Sequence, residues 1–253
     1  MISRNELVGF IDELVPPLPG VDDSSNNGLQ VEGVKNVGRV VFGVDACEAL
    51  FTAAVESDAD FIVVHHGLSW GDSLKYLQDI TANRLRILFA NGVSLYASHL
   101  PLDANCEVGH NAEIARRLEF RNVTPAFEYH GAFIGQLGEL GESVTLDDLA
   151  KKIEDELGGT CTGWGFGTHK IRRVGVVSGG GADAIPEAAK RGVDCLVTGE
   201  VTHQHYHLMR EYELNVIAAG HYATEKPGLE AVMGRISQHF DVECGFVELP
   251  TEL

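Results

Sequence analysis

Long apolar runs, paired cysteines and an excess of base are all missing from this 253-residue chain. Its longest apolar stretches, such as Phe61 to Val64, fall far short of the roughly 20 residues a membrane helix needs. The start, Met1-Ile2-Ser3-Arg4-Asn5-Glu6, has no signal-peptide core, so a soluble cytoplasmic protein without a membrane partner is expected. Cys47, Cys106, Cys161, Cys195 and Cys244 are odd in number and contain no C-x-x-C pair. That excludes a disulfide framework and a zinc ribbon and suits a reducing compartment. Nineteen basic against 37 acidic side chains leave a net charge of −18, which opposes the phosphate neutralisation a nucleic-acid binder needs. So much acid reads as a solvated, self-repelling surface. No Ser-His-Asp set or other nucleophile and base pair stands out.

What is present is enough apolar content, 44%, for a sizeable core in one large or two smaller domains. Ser3 and Glu6 form a capping box before Leu7, Phe10, Ile11 and Leu14, and Pro16-Pro17 closes that helix. Thr145 and Asp148 do the same before Leu146, Leu149, Ile153 and Leu157, with Gly158-Gly159 as the stop. Leu229, Val232, Met233, Ile236 and Phe240 carry a helical period near the end. Between the helices lie β-branched or apolar runs: residues 39–44, 61–64, 93–97 and 216–219. Strands alternating with helices predict an α/β protein with a largely buried sheet.

A repeat links the halves. Arg39-Val40-Val41 matches Arg173-Val174-Gly175 and Asp60-Phe61-Ile62-Val63-Val64 matches Asp194-Cys195-Leu196-Val197-Thr198, both at an offset of 134 without a gap. Later in each half come Ala97-Ser98-His99 and Ala219-Gly220-His221, each with a carboxylate four residues on, Asp103 and Glu225. This second match has an offset of 122.

Binding residues of open α/β sheets gather beyond the carboxyl ends of strands. His65-His66, His99 and His221 all occupy such places. Imidazole nitrogen mixed with carboxylate oxygen suits zinc, iron, manganese or nickel, whereas all-oxygen sets suit calcium or magnesium. Divalent transition-type ions held among His65-His66 and the two repeated His-acid sets, His99 with Asp103 and His221 with Glu225, are therefore expected. The competing reading is a metal-free His-carboxylate network, which would have to satisfy several carboxylates by hydrogen bonds alone. Asn26-Asn27-Gly28 is a turn signal, with contact to a ligand from Asn27 as the functional alternative. Gly179-Gly180-Gly181 lacks dinucleotide or P-loop spacing and reads as a tight turn.

The segments Asn26 to Val31, Val63 to Gly67, His99 to Asp103, Thr198 to His203 and Gly220 to Glu225 together resemble the Nif-three-like family, whose members are often labelled GTP cyclohydrolase 1 type 2 homologues or dinuclear metal centre proteins. The resemblance spans nearly the whole chain. It implies two similar, intertwined α/β domains from an internal duplication, drawn here as 1–124 plus 220–253, with most of the ligands, and 125–219. It further implies a homohexamer with metal sites facing an internal cavity. His66 and Asp103 would hold one ion, His65 and His221 the other, and Glu225 would bridge both. His99, His203 and Asn27 would line the cavity. Two departures stand out. Gly67 replaces a common proline after the His pair, which would loosen the loop, and His205 and His207 extend the usual His203 as expected surface residues. Two ions sharing a carboxylate suit hydrolysis at a phosphate or a purine-type C–N bond, so a hydrolase of a nucleotide-like or phosphoester small molecule is the first expectation. Metal storage, delivery to an accepting protein, sensing, and a regulatory scaffold are the alternatives.

Overall fold

The computed structural model describes residues 1–251. The chain forms two compact units, one of Met1–Leu102 with Leu229–Leu249 and one of Asp103–Gly228, rejoined at Pro250. Along the chain run β1 (Ile2–Ser3), α1 (Arg4–Leu14), β2 (Gly28–Val31), β3 (Asn36–Val37), β4 (Arg39–Asp45), α2 (Glu48–Glu56), β5 (Phe61–His66), α3 (Asp79–Asn91), β6 (Ser94–Ala97) and α4 (Leu100–Ala104). Then follow α5 (His110–Arg117), β7 (Arg121–Tyr129), β8 (Ala132–Val144), α6 (Leu146–Leu157), β9 (Thr162–Trp164), β10 (Ile171–Val177), α7 (Ile185–Lys190) and β11 (Cys195–Thr198). The last elements are α8 (His205–Glu211), β12 (Asn215–Ala218), α9 (His221–Thr224), α10 (Pro227–His239) and β13 (Glu243–Phe246). Among the described residues no helix is long and apolar enough to cross a membrane.

The first unit holds a five-stranded sheet in the order β13-β4-β5-β6-β2. Its first four strands are parallel and β2 is antiparallel to β6. Leu50, Phe51 and Ala54 of α2 and Leu85 and Leu88 of α3 cluster with Val41, Ile62, Val64, Leu95 and Ala97 of the sheet. The alternate strand residues, Val40, Phe42, Val44, Phe61, Val63 and Tyr96, are buried as well, as a parallel sheet covered on both faces requires. Each large apolar side chain so buried contributes about 1.5–3 kcal/mol. Of the two capping boxes anticipated from the sequence, Thr145 with Asp148 makes a reciprocal box, whereas Ser3 caps α1 in one direction, its Oγ accepting from the Glu6 N–H at 3.1 Å.

The second unit holds six strands in the order β7-β8-β10-β11-β12-β9, with β10, β11 and β12 parallel. The hairpin β7-β8 has no counterpart in the periodicity of the sequence. It turns at His130-Gly131, both with positive φ, between the paired Tyr129 and Ala132, the geometry that suits the right-handed twist of a tight hairpin. Pro125 and Gly135, Gly138 and Gly141 dilute the alternation that would have announced it. The segment that includes α5 belongs to this unit, where Ile114 and Leu118 pack in a core with Leu149, Ile153, Val174 and Ile217.

The duplication is visible in the strand pairing itself. Val40 pairs with Phe61 as Val174 pairs with Cys195, and the next three pairs keep the offset of 134. Asp60 Oδ2 accepts the N–H groups of Gly38 and Arg39, and Asp194 Oδ2 accepts those of Arg172 and Arg173. The third strands obey a different offset from the one the His residues suggest. Phe61 pairs with Ser94 and Cys195 with Asn215, an offset of 121. His99 therefore corresponds to Gly220, and His221, which opens α9, corresponds to Leu100, which opens α4.

Candidate metal centre

In the first unit three imidazoles converge beyond the carboxyl ends of β5 and β6. His65 and His66 end β5 because Val63 and Val64 carry the strand into its last pairings with β6. His99 follows β6. The ring centroids lie 4.6 Å apart for His65 and His66, 5.0 Å for His65 and His99, and 5.6 Å for His66 and His99. One ligand nitrogen from each lies within 4.8 Å of the others, so the group could hold a metal ion.

Each ring is held from behind by an acceptor. His65 Nδ1 lies 2.9 Å from the Ser98 carbonyl, His66 Nδ1 lies 2.9 Å from Asp45 Oδ1, and His99 Nδ1 lies 2.8 Å from Asp23 Oδ1. A carbonyl or carboxylate only accepts, so in the neutral rings Nδ1 carries the proton and Nε2 the lone pair. This is the outer-shell arrangement that orients imidazole ligands for metals. Asp23 is itself fixed by the Asn27 amide at 2.7 Å and the Ser25 N–H at 2.9 Å. Burial pushes its carboxyl up, but the bonds from His99, Asn27 and Ser25 outweigh burial and hold it at about 2. Asn27 also accepts the His99 backbone N–H at 2.7 Å, so its contacts serve to set His99 in place. Gly28 has φ +104°, as the turn reading requires.

Gly67 does not loosen the loop. A Cβ there would lie 2.4 Å from Gln30 Nε2 and 2.6 Å from the Ala97 Cβ. Gln30 Oε1 accepts the N–H groups of Leu68 and Ser69 at 2.8 and 3.0 Å. The loop after the His pair is thus pinned, and Trp70 from it stands edge-on to His99 at 5.0 Å.

In the second unit His221 sits between two carboxylates. Its Nε2 lies 3.1 Å from Glu225 Oε1 and its Nδ1 3.4 Å from Glu200 Oε2. Chiefly through Glu225, against the effect of burial and with help from Glu200, the imidazole is raised to about 9. Glu225 is buried, and it lies against backbone: a Cβ on Gly179 would come 2.1 Å from its Oε1. The triple glycine is therefore a turn, as expected, and also the cradle of a carboxylate. Asp103 is buried in a neighbouring network. Its Oδ1 accepts from Ser178 Oγ at 3.0 Å, and the Ser178 N–H donates to Asn111 Oδ1 at 2.7 Å.

Of the anticipated residues, the first unit brings His65, His66 and His99 together with Asn27 behind them. The second joins His221 to Glu225, with Asp103 bonded to the residue that precedes Gly179. His203 is exposed in the turn before α8, and His207 is exposed within α8. His205 departs from expectation, since it is 5% exposed. Its Nδ1 accepts the Thr202 N–H at 3.2 Å and its Nε2 lies 3.0 Å from Asp183 Oδ1, which makes it an anchor of α8. Sequence reasoning missed Asp23, Asp45 and Glu200 as holders of the rings. Glu200 had a signal, because the offset of 134 aligns it with His66. Three of the cysteines are poor nucleophiles: burial pushes the Cys161 thiol up to about 12 and raises Cys195 and Cys244 as well.

Known proteins agree with this architecture. A family model described as Duf34/NIF3 (NGG1p interacting factor 3) matches residues 2–252. A Pyrococcus horikoshii protein described as a GTP cyclohydrolase 1 type 2 homolog is 41% identical over the full length of both chains. One of the same description from Deinococcus radiodurans is 42% identical, covering 100% of this chain and 95% of its own. Among solved structures, protein ybgI, of unknown function, superposes with a TM-score of 0.93 at 37% identity over all of both chains. TTHA1606 from Thermus thermophilus gives 0.92 at 36%, again over all of both chains.

Proposed function

Because the chain belongs to the Duf34/NIF3 family, we propose that it is a dinuclear metal-dependent hydrolase acting on a nucleotide-like or phosphoester substrate. The observation that carries this reading is the set of three imidazoles, His65, His66 and His99, each tethered through Nδ1 to an acceptor and each with one nitrogen within 4.8 Å of the others. A purely structural histidine cluster has no need for three rings so tethered and so close. In this proposal His66 and Asp103 hold one ion, His65 and His221 hold the other, and Glu225 serves both. Zinc, iron, manganese and nickel all suit these donors. The ions supply Lewis acidity and positive charge where negative charge develops in the reaction.

The chain's own residues prepare for that role. Asp45 and the Ser98 carbonyl fix the tautomers of His66 and His65 and raise their basicity as ligands. Glu225 brings a buried negative charge to offset repulsion between cations. His221 carries a proton at neutral pH in the metal-free protein, and the proton must leave before the ring can act as a ligand. The description GTP cyclohydrolase 1 type 2 homolog borne by the relatives favours a nucleotide-like substrate. A homohexamer belongs to the same proposal, and light scattering should return the mass of six chains.

The decisive experiment is elemental analysis of freshly purified protein, then a screen of nucleotides and phosphoesters with the native metal restored. About two ions per chain and turnover that a chelator abolishes are expected. No metal after incubation with several divalent ions would overturn the reading. Two ions that leave readily to a chelator, with no turnover on any substrate, would replace it with metal storage or delivery.

A further inference from the structure

The second unit contains an open cleft of about 760 Å³ whose walls include Trp164, Tyr222, Thr160, Thr162 and Glu200. It lies beyond the carboxyl ends of the parallel strands β11 and β12, with the antiparallel edge strand β9 alongside. Ligands of open α/β sheets bind in that position. In the duplicated sheet of the first unit a longer connection borders the equivalent position. There β2 stands beside β6 as β9 stands beside β12, with Gly28 opposite Ala97 as Thr162 is opposite Ala218. Residues 67–78 connect β5 to α3, and Gln30 draws the start of that loop back onto the sheet. Residues 199–204, half as many, connect β11 to α8. The position of His65 is taken by Gly199, where a Cβ would lie 2.6 Å from the Gly179 carbonyl oxygen. The shorter connection and the glycine in place of an imidazole make room for the cleft beyond this sheet end.

We propose that this cleft binds an uncharged, planar nitrogen heterocycle with N–H donors, of the nucleobase type, as the non-reacting portion of the substrate. Trp164 and Tyr222 supply aromatic surface for a ring. Among the described residues the cleft lining has one charged side chain, Glu200, and no lysine or arginine, so it favours N–H donors and repels a phosphate. Glu200 places one oxygen toward His221 and its carboxylate can accept further donors from a ring edge. The cleft thereby adjoins the His221–Glu225 pair, and a phosphate or other anionic portion would extend toward the ions. The volume falls within the range of small-molecule sites. Only the attachment of ring to reacting group rests on the hydrolase reading; ring binding itself does not require the metals.

Guanosine, which has adjacent N–H and NH2 donors, is the probe, with ribose 5-phosphate as the ring-free control. Calorimetric titration of the whole protein should give saturable guanosine binding both metal-free and metal-loaded, and none for ribose 5-phosphate in the metal-free form. Trp164→Leu and Glu200→Gln should each weaken guanosine about tenfold, one well-placed contact's worth, while Trp164→Phe retains most of the affinity. Circular dichroism of each variant guards against unfolding. Failure of guanosine to saturate in both forms overturns the proposal. So does equal binding of ribose 5-phosphate to the metal-free protein, or wild-type affinity in both Trp164→Leu and Glu200→Gln. Guanosine binding without any metal uptake would sink the hydrolase reading and leave the cleft assignment standing.

Discussion

The two sheets share strand register but not chemistry. From Val40 with Phe61 and Val174 with Cys195 onward, their first two parallel strands pair at one constant offset, and an aspartate secures the entry of the second strand in each. Beyond the carboxyl ends they diverge. The first unit presents His65 and His66, and at the matching positions the second presents Gly199 and Glu200. Its own imidazole, His221, comes one position later than strand equivalence with His99 predicts. A duplicated scaffold can therefore keep its backbone pairing, which needs only the pleat and a buried face, while the residues just past each strand become free to specialise. One copy concentrates imidazoles. The other contributes carboxylates and leaves a cleft.

The largest expected effect tests the division of labour between the copies. Glu225→Gln keeps shape but removes the buried negative charge, so both ions should weaken together, whereas His65→Ala should weaken mainly one. Calorimetry with the native metal should place the loss in Glu225→Gln well beyond the roughly 10–100-fold that loss of an outer-shell partner costs. Retention of both ions at native affinity in Glu225→Gln would show that the second copy does not supply the shared ligand.

Next comes an attempt to make the copies alike. Gly199→His places an imidazole where the first unit has His65, but its Cβ would meet backbone at 2.6 Å. It should cost about 1–3 kcal/mol, as overpacking does, and gain no metal. A stable variant that binds an additional ion would mean the two strand ends are interchangeable after all.

Asp45→Asn sharpens the first copy alone. It preserves the size of the partner to His66 Nδ1 but lets the ring turn or change tautomer, and metal affinity should fall about 10–100-fold. An unchanged affinity would reduce Asp45 to a surface acid.

The smallest effect is in pH dependence, and the copies differ in sign. His221 is raised from 6.5 to about 9 in the metal-free protein. Its stabilising contribution is therefore whole below pH 6.5 and disappears as pH rises through about 9. Asp23, lowered from 3.8 to about 2, contributes above pH 3.8 and loses that contribution as pH falls through about 2. Solvent screening keeps the latter to about 1–2 kcal/mol. Denaturant titrations of metal-free His221→Gln and Asp23→Asn should flatten the alkaline and acidic limbs respectively. The reverse pattern would contradict the hydrogen bonds described for both groups.

Sequence by itself determined the α/β class, the duplication, the main parallel strands and the helix caps, because periodicity, capping boxes and strand pairing leave local or evenly spaced marks. It also put His65 and His66 at a strand end, where they stand. The hairpin β7-β8 escaped notice because its glycines and proline interrupt the alternation. Asp23, Asp45 and Glu200 escaped for a different reason. A lone acid has no local signature, and each acts on an imidazole 21 to 76 residues away. The burial of His205 likewise depends on Asp183, a residue 22 positions distant. Tertiary structure alone decided which nitrogen of each first-unit ring is tied to an acceptor, that His221 falls one position past the strand equivalent of His99, and that the second unit carries a cleft beyond β11 and β12. Tautomer, register and concavity depend on where distant segments pack, and no window of sequence contains both sides of such a contact.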